Sequence, residues 1–543
     1  MKEPIQRVVA PGLAGVAIGV AVGIVATLPW WGWPAVVVVA FVAAVGIRDV
    51  VQRRHAIIRN YPVIGHLRYL LESIGPELRQ YIVTDNDAER PFSRDQRRWV
   101  YATAKGENNL FGFGTDNDVL AEPGYLVIRH AAFPAPEPPP HSPAGSDLHL
   151  VPMAKVLGAA RNRPGAFRPD SVVNLSSMSY GSLSGSAVRA LNAGARLAHA
   201  LHGTGEGGIS PYHLEGGDLV WQLGTAYFGA RDHEGRFSLD RFLDKVERYP
   251  VRAVEIKLSQ GAKPGLGGML PGAKVTPEIA AIRGIPVGVD CKSPARHTAF
   301  TTVPELLDFV ELLARESGLP VGIKAAVGQM DFWEELADRM ATDEAGVDFI
   351  TIDGGEGGTG AAPMIFADHV SLPFLQGFAA VYRIFARRGI HNDVVWFGSG
   401  RLGLPDRAVL AFALGVDGIN VAREAMLALG CIQAQKCHTG HCPVGVATQS
   451  RWLERGLDPS LKSVRVANYL VGFRRELLRV ANAVGVDHPA EIGVEHLDLL
   501  DEAHGSTPVA RVFDYKPDWG SPTIEQLAEA RRALLGIPTP QEA

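Results

Sequence analysis

From about Val151 to Leu500, short runs rich in β-branched residues alternate with stretches of helical periodicity, and this alternation restricts the fold more than anything else in the sequence. Strands are expected at Val172–Ser176, Ala253–Ser259, Pro286–Cys291, Val321–Val327, Asp348–Asp353, Asp393–Gly398 and Gly418–Ala422. Helices are expected between several of them, at Ser186–Leu201, Val303–Ser317 and Asp406–Gly415. Strands joined by helices of this length pair in parallel, and so many in succession predict an α/β fold, a (β/α)8 TIM-type barrel. Chemistry in such a barrel belongs at the carboxyl ends of the strands.

The barrel occupies the middle of a 543-residue chain. Val8 to Ile47 contains no charged residue, and LPWWGWP (Leu28–Pro34) interrupts it with two prolines, a glycine and three tryptophans suited to a membrane interface. A transmembrane helical hairpin over residues 1–48 follows. Lys2 and Arg7 precede it and Arg48, Arg53 and Arg54 follow it, which places both ends, and the catalytic domain, in the cytoplasm of a cell-membrane protein crossing twice. A cleaved signal peptide shares the basic start and apolar core and is the alternative. Residues 49–150 read as a lead-in module. In it Leu67, Leu70, Leu71, Ile74 and Leu78 make one helical apolar face, to pack on the catalytic domain or lie along the membrane, and PAPEPPPHSP (Pro134–Pro143) is a stiff connection. Residues 151–500 form the catalytic barrel and 501–543 a charged tail. A net charge of -5 leaves no footprint for nucleic acid.

Three of the four cysteines fall in CIQAQKCHTGHCPVGVATQ, as Cys431, Cys437 and Cys442. Three thiolates followed by proline suit a [3Fe-4S] centre, or a [4Fe-4S] centre with an outside ligand; a Cys3His zinc site using His438 or His441 is the other reading.

This stretch resembles the cluster-binding segment of glutamate synthases, and four others resemble that family's FMN domain: SMSYGSLS (Ser177–Ser184), GTGEGG (Gly203–Gly208), KLSQGAKPGLGGMLPG (Lys257–Gly272) and DGGEGGTGAAP (Asp353–Pro363). The resemblance implies an FMN- and iron-sulfur-dependent enzyme of the class acting on CH–NH2 donors, forming L-glutamate from 2-oxoglutarate and ammonia. It assigns Ser177, Met178, Ser179, Gly181, Gln222 and Lys257 to the flavin and Lys324 to its N1 edge. The phosphate falls to Gly354, Gly355, Gly357, Gly358, Gly398, Gly400, Ala422 and Arg423, at three successive strand ends where exposed amides and helix starts favour anions. Gln260, Lys263 and Arg283 would hold the keto acid, since a dicarboxylate calls for two cations, and Glu206 would handle protons or ammonia. Lys324 and Glu206 are thus the catalytic candidates.

The sequence departs from the family where Gly398 and Leu402 replace an acidic residue and a lysine, where Leu266 and Met269 replace a glutamate and a glutamine, and at SPARHT (Ser293–Thr298). Leu266 and Met269 favour a second reading, an N-methylglutamate synthase-like enzyme using another small amine or keto acid. A reading of another class is a membrane electron-transfer subunit without its own substrate. There is no cysteine before Cys291 to serve as a glutaminase nucleophile, so ammonia is expected from solution or a separate glutaminase subunit. No dinucleotide fingerprint is present either, so electrons are expected from a ferredoxin, an NADPH-oxidising subunit or a membrane donor.

Overall fold

The computed structural model describes residues 29, 32–119, 122, 124–501 and 505–538, in two compact units, one up to Arg94 and one from Asp95 onward.

In the first unit Pro34 sits in the first turn of helix α1 (Trp33–Val51), where its missing N–H is no loss. Among the described residues this is the one helix long and apolar enough to cross a membrane, and only 6% of its most apolar window is buried, unlike the core helix of a soluble protein. The other limb of the expected hairpin lies outside the described residues. Two further helices follow, α2 (Ala56–Asn60) and α3 (Gly65–Leu78). The carboxylate of Asp49, the one buried residue of α1, accepts the Val63 N–H and a bond from His66 Nε2, each at 2.9 Å, and so ties the end of α1 to α3. Leu67, Leu70, Leu71, Ile74 and Leu78 share a face of α3 and are all exposed.

The second unit is built on eight parallel strands closed into a barrel: β1 (Val173–Leu175), β2 (His202–Gly203), β3 (Leu219–Leu223), β4 (Val251–Lys257), β5 (Val321–Ala325), β6 (Phe349–Asp353), β7 (Val395–Ser399) and β8 (Gly418–Val421). Each pairs with its sequence neighbours, and β8 closes on β1. Six of the seven expected strands are in the barrel. The exception is Pro286–Cys291, of which only Cys291 enters a strand, pairing with Leu270 in a short antiparallel hairpin, Met269–Leu270 with Cys291–Lys292, inserted between β4 and β5. Its proline and glycine suit an excursion over the barrel mouth better than a ladder. Two strands escaped the pattern: β2 is only two residues long, and β3 follows a glycine pair. Outside the barrel, α4 (Arg94–Lys105) precedes it, α5 (Gly185–Leu197) follows β1, α6 (Pro277–Arg283) lies in the β4–β5 excursion, α7 (Val303–Ser317) precedes β5 and α8 (Arg423–Leu429) follows β8. After the cysteine segment come the short helix α9 (Arg451–Glu454) and the long helix α10 (Pro459–Val484).

Candidate active site

Parallel strands in register present neighbouring side chains in one layer. Gln222 of β3 lies beside Glu255 of β4, Lys257 beside Lys324 of β5, and Lys324 beside Thr351 of β6. Glu255 is buried, and its carboxylate accepts Gln222 Nε2 at 2.5 Å, Thr351 Oγ1 at 2.7 Å and, more loosely, Ser177 Oγ at 3.4 Å. Lys324 Nζ stands 3.6 Å from Asp353 Oδ2 at the end of β6. Burial alone would lower the Lys324 ammonium; Asp353 and Glu255 outweigh it and hold it above its ordinary value, so it is charged at neutral pH. Ser177, Gly203, Glu255, Lys324 and Asn420 line a cavity here.

A second cluster stands at the barrel mouth. Lys257 Nζ donates to Glu206 Oε1 and Gln260 Oε1, both at 2.8 Å. Lys263 is 7% exposed, with Nζ donating to the Ala361 carbonyl at 3.2 Å, and burial and Lys257 together push its ammonium down. Burial would raise Glu206, but Lys257, then Lys263 and Arg283, more than offset it, so the carboxylate stays ionised below its usual range. Lys257, in direct contact, and Lys263 and Arg283, within electrostatic reach, thus act together on one carboxylate.

Arg283 ends α6, only 5% exposed. Its Nη2 donates to the Tyr180 carbonyl at 3.1 Å, Nη1 lies 3.8 Å from Cys291 Sγ, the guanidinium stands 5.3 Å from the Phe228 ring centre, and Nε has no partner. Leu266 and Met269 are 40% and 50% exposed on the same excursion.

The two loops flanking this cluster touch backbone to backbone. A Cβ at Gly203 would fall 2.3 Å from Ser177 Oγ, and one at Gly205 would fall 2.4 Å from the Ser179 nitrogen, so GTGEGG lies against SMS only because it carries glycine. Ser177, Met178, Ser179 and Gly181 run along that seam. Across the mouth, the Gly354 N–H bonds the Ser399 carbonyl at 2.8 Å, which sets Gly354–Gly358 beside Gly400. Arg423, the first residue of α8 after Ala422, donates to the Glu356 carbonyl and packs on Gly358. Gly398 lies inside β7, against Leu402 and Phe374.

The cysteine segment is bonded onto the first of these loops. Ser184 Oγ donates to the Gly445 carbonyl at 2.7 Å, the Ser184 N–H bonds the Val446 carbonyl, and Gln449 Nε2 donates to the Gly181 and Leu183 carbonyls at 3.2 and 2.9 Å. Lys274 of the β4–β5 excursion donates to the Cys437 carbonyl at 2.8 Å. Cys431, Cys437 and Cys442 share one neighbourhood: burial, then the two other thiols, push the Cys431 thiol up to about 11. Among the described residues, no three His, Cys, Asp or Glu side chains converge closely enough to bond one metal ion, and His438 and His441 are exposed.

Sequence reasoning did not single out Glu255, Asp353 or Lys274. An acid inside the apolar run VRAVEIK was the available signal for the first, and the last residue of a strand for the second.

A family defined by the conserved region in glutamate synthase matches residues 159–487. The chain is 39% identical over 492 residues to the glutamate synthase large subunit-like protein YerD of Bacillus subtilis, covering 85% of this chain and 93% of that one. It is 34% identical over 319 residues to the archaeal glutamate synthase [NADPH] of Methanocaldococcus jannaschii, covering 59% of this chain and 60% of that one, so it spans less than two thirds of that relative. Among solved structures, a flavocytochrome b2 variant with benzoylformate aligns with a TM-score of 0.40 at 14% identity, over 69% of this chain and 76% of that one.

Proposed function

The chain belongs to the glutamate synthase family, oxidoreductases acting on CH–NH2 donors, and from that premise we propose that it binds FMN and a [3Fe-4S] cluster and forms L-glutamate from 2-oxoglutarate and ammonia. The observation that carries this reading is that Lys257, Lys263 and Arg283 all act on Glu206 at the barrel mouth: several cations at one mouth suit a dicarboxylate.

The residues fit both groups in kind. Lys324, held charged, suits the N1 edge of a reduced anionic flavin; residues 177–181 would face its ring, and the first turn of α8 beside Gly358 would hold its phosphate, the Gly354, Gly355 and Gly357 N–H groups being bonded to the Ser399, Leu372 and Gly354 carbonyls. Cys431, Cys437 and Cys442 supply three thiols on one loop, a donor set for an iron-sulfur centre. FMN, when bound, supplies the hydride for the imine carbon.

Lys263 and Arg283 hold the two carboxylates, and Gln260, fixed by Lys257, orients the keto group. Glu206, ionised beside Lys257, takes a proton as ammonia condenses with loss of water and returns one as the amine forms. Electrons come from a ferredoxin or an NADPH-oxidising subunit and ammonia from solution or a glutaminase subunit. Helix α1 is one limb of the anchor that keeps the barrel at the cytoplasmic face, and residues 49–150 lead from that anchor into it.

Leu266 and Met269, exposed and apolar on the excursion, favour a second reading in which the amine carries an alkyl group. One anaerobic experiment tests both. The flavin of the full-length protein is reduced photochemically and its reoxidation followed after adding 2-oxoglutarate with ammonium or with methylamine. Reoxidation with glutamate formed supports the first reading, reoxidation with methylamine alone selects the second, and a protein with intact flavin that answers neither refutes both.

A further inference from the structure

Arg283 is the last residue of α6, a helix of seven residues. So short a helix has little stability of its own, and the contacts that dock it decide where Arg283 presents its guanidinium. One residue of the loop after β1 supplies such a contact at both ends. At the first turn of α6 the Tyr180 hydroxyl donates to Glu278 Oε2 at 2.6 Å, and at the last residue the Tyr180 carbonyl accepts Arg283 Nη2 at 3.1 Å. Between them the helix lies on Gly181, where a Cβ would fall 3.4 Å from Ile279 Cδ1.

Tyr212, in the turn Pro211–His213 between β2 and β3, brings a second hydroxyl to the same Glu278 oxygen at 3.2 Å, and its ring centre stands 4.7 Å from that of Tyr180. A Cβ on Gly185 would fall 2.7 Å from Tyr212 Cζ, so the glycine that opens α5 leaves room for this ring. Tyr180 is buried; burial and then the Glu278 bond push its phenol well above its ordinary value, which keeps it a donor across the physiological range. Glu278 itself is exposed. A phenol that donates to a carboxylate at this distance makes a charge-assisted bond, stronger than one between neutral groups.

The guanidinium so placed keeps donors in reserve. Its bonds go to a carbonyl and a sulfur, its Nε has no partner, and Nη2 lies 2.8 Å from where a Cβ on Gly207 would stand, next to Glu206. An arginine side chain loses much rotamer freedom when an anion fixes it, and a helix already docked meets part of that cost before the anion arrives.

We propose that Tyr180 and Glu278, supported by Tyr212, are positioning residues for the keto acid: they latch α6 onto the loop after β1 and so hold Arg283 where it meets a substrate carboxylate. This rests on the reading of Arg283 as a carboxylate-binding residue. Tyr180 and Glu278 act only through Arg283. When the latch is broken the helix loosens, the guanidinium is no longer fixed, and Cys291 beside it, 6% exposed in the latched state, is uncovered.

The test uses the full-length holoprotein in detergent, with Tyr180→Phe, Glu278→Ala and Glu278→Gln. Both phenols donate to one oxygen of Glu278, so the amide of glutamine can replace the carboxylate as acceptor. Anaerobic turnover with reduced methyl viologen as electron source gives kcat and the two KM values, and the flavin absorption of the oxidised protein gives the Kd of 2-oxoglutarate. Iodoacetamide labelling, located by mass spectrometry, gives the reactivity of Cys291.

Tyr180→Phe and Glu278→Ala should raise the KM and Kd of 2-oxoglutarate about tenfold, the worth of one such bond, with kcat and the KM of ammonium within about twofold of the parent. Cys291 should be labelled several times faster in both. Glu278→Gln should stay close to the parent in every reading. An unchanged KM in the phenylalanine and alanine variants overturns the positioning role, even if Cys291 reacts faster. A loss of kcat and of both KM values together, in the glutamine variant as well, overturns it in favour of a general role in folding. A parent protein with intact flavin that neither binds nor turns over 2-oxoglutarate refutes the ligand read for Arg283 instead; the latch then stands or falls on whether the alanine and phenylalanine variants uncover Cys291 and the glutamine variant does not.

Discussion

Gly398 and Leu402 divide between them a space that only one can fill: a Cβ on Gly398 would stand 2.7 Å from Leu402 Cδ1 and 2.9 Å from Phe374 Cζ, and Leu402 is 3% exposed. The resemblance leads one to expect an acid and a lysine at these positions. The structure has an apolar plug, in which the lost side chain of one residue makes room for the other. Gly398→Ala should therefore overpack the site and lower stability by about 1–3 kcal/mol in denaturant unfolding. Added to Leu402→Ala it should cost clearly less than the sum of the two, with a coupling of about 1 kcal/mol. Additive effects would show that the two residues do not share that space.

Glu206 is the one carboxylate among Lys257, Lys263 and Arg283, and they hold it below the usual range. A folded-state value below the unfolded one contributes stability that is present above the unfolded value and lost as pH falls through the folded one. Glu206→Gln should thus destabilise the protein by roughly 2 kcal/mol at neutral pH, a figure reduced because Lys257 and Glu206 keep some contact with solvent. The gap to the parent protein should stay level down to about pH 5 and close as pH falls below about 4.5. A gap independent of pH in acid would show that Glu206 is not ionised in the folded protein.

Gln449 joins the cysteine segment to the loop after β1 through two bonds from one amide. Gln449→Met keeps the bulk and removes both, which should cost about 1–2 kcal/mol. Hydrogen exchange should accelerate at residues 181–186 and along the cysteine segment together, and the strands on the far side of the barrel should be unaffected. Acceleration in only one of the two segments would mean that they are held independently.

The barrel was legible because β4 to β8 are strands of four to seven residues, each carrying β-branched side chains, with helices between them. The two-residue β2 left no periodicity to read, and Pro286–Cys291 imitated a strand through Val287 and Val289, which the structure leaves exposed in the excursion. The strand-end position of Lys324 was readable in advance. Its partners Asp353 and Glu255 were not, since which inward side chains meet depends on register across strands far apart in sequence. For the same reason nothing local announced that Arg283 would lie buried against Tyr180 and Cys291.

His297, in the SPARHT stretch between β4 and β5, orders the backbone of Lys257. The Tyr227 hydroxyl accepts the Thr298 and Ala299 N–H groups at 3.2 and 3.1 Å, so its own proton goes to His297 Nδ1 at 3.0 Å. The ring must then carry its hydrogen on Nε2, which donates to the Lys257 carbonyl at 2.9 Å. Protonating Nδ1 would abolish that acceptor, and burial pushes His297 below its ordinary value despite the opposing Lys257 bond and Glu206. The contribution of neutral His297 is therefore present above about pH 6.5 and lost as pH falls from there toward the folded value. Glutamine can accept from Tyr227 and donate to Lys257 without titrating. His297→Gln should be about 1 kcal/mol less stable than the parent at pH 7.5, from imperfect geometry, and the gap should narrow or reverse by pH 5. Unfolding both proteins in denaturant at pH 7.5, 6 and 5 reads this directly; a constant gap would mean that the ring is already bonded as an imidazolium, and that the Tyr227 proton points elsewhere.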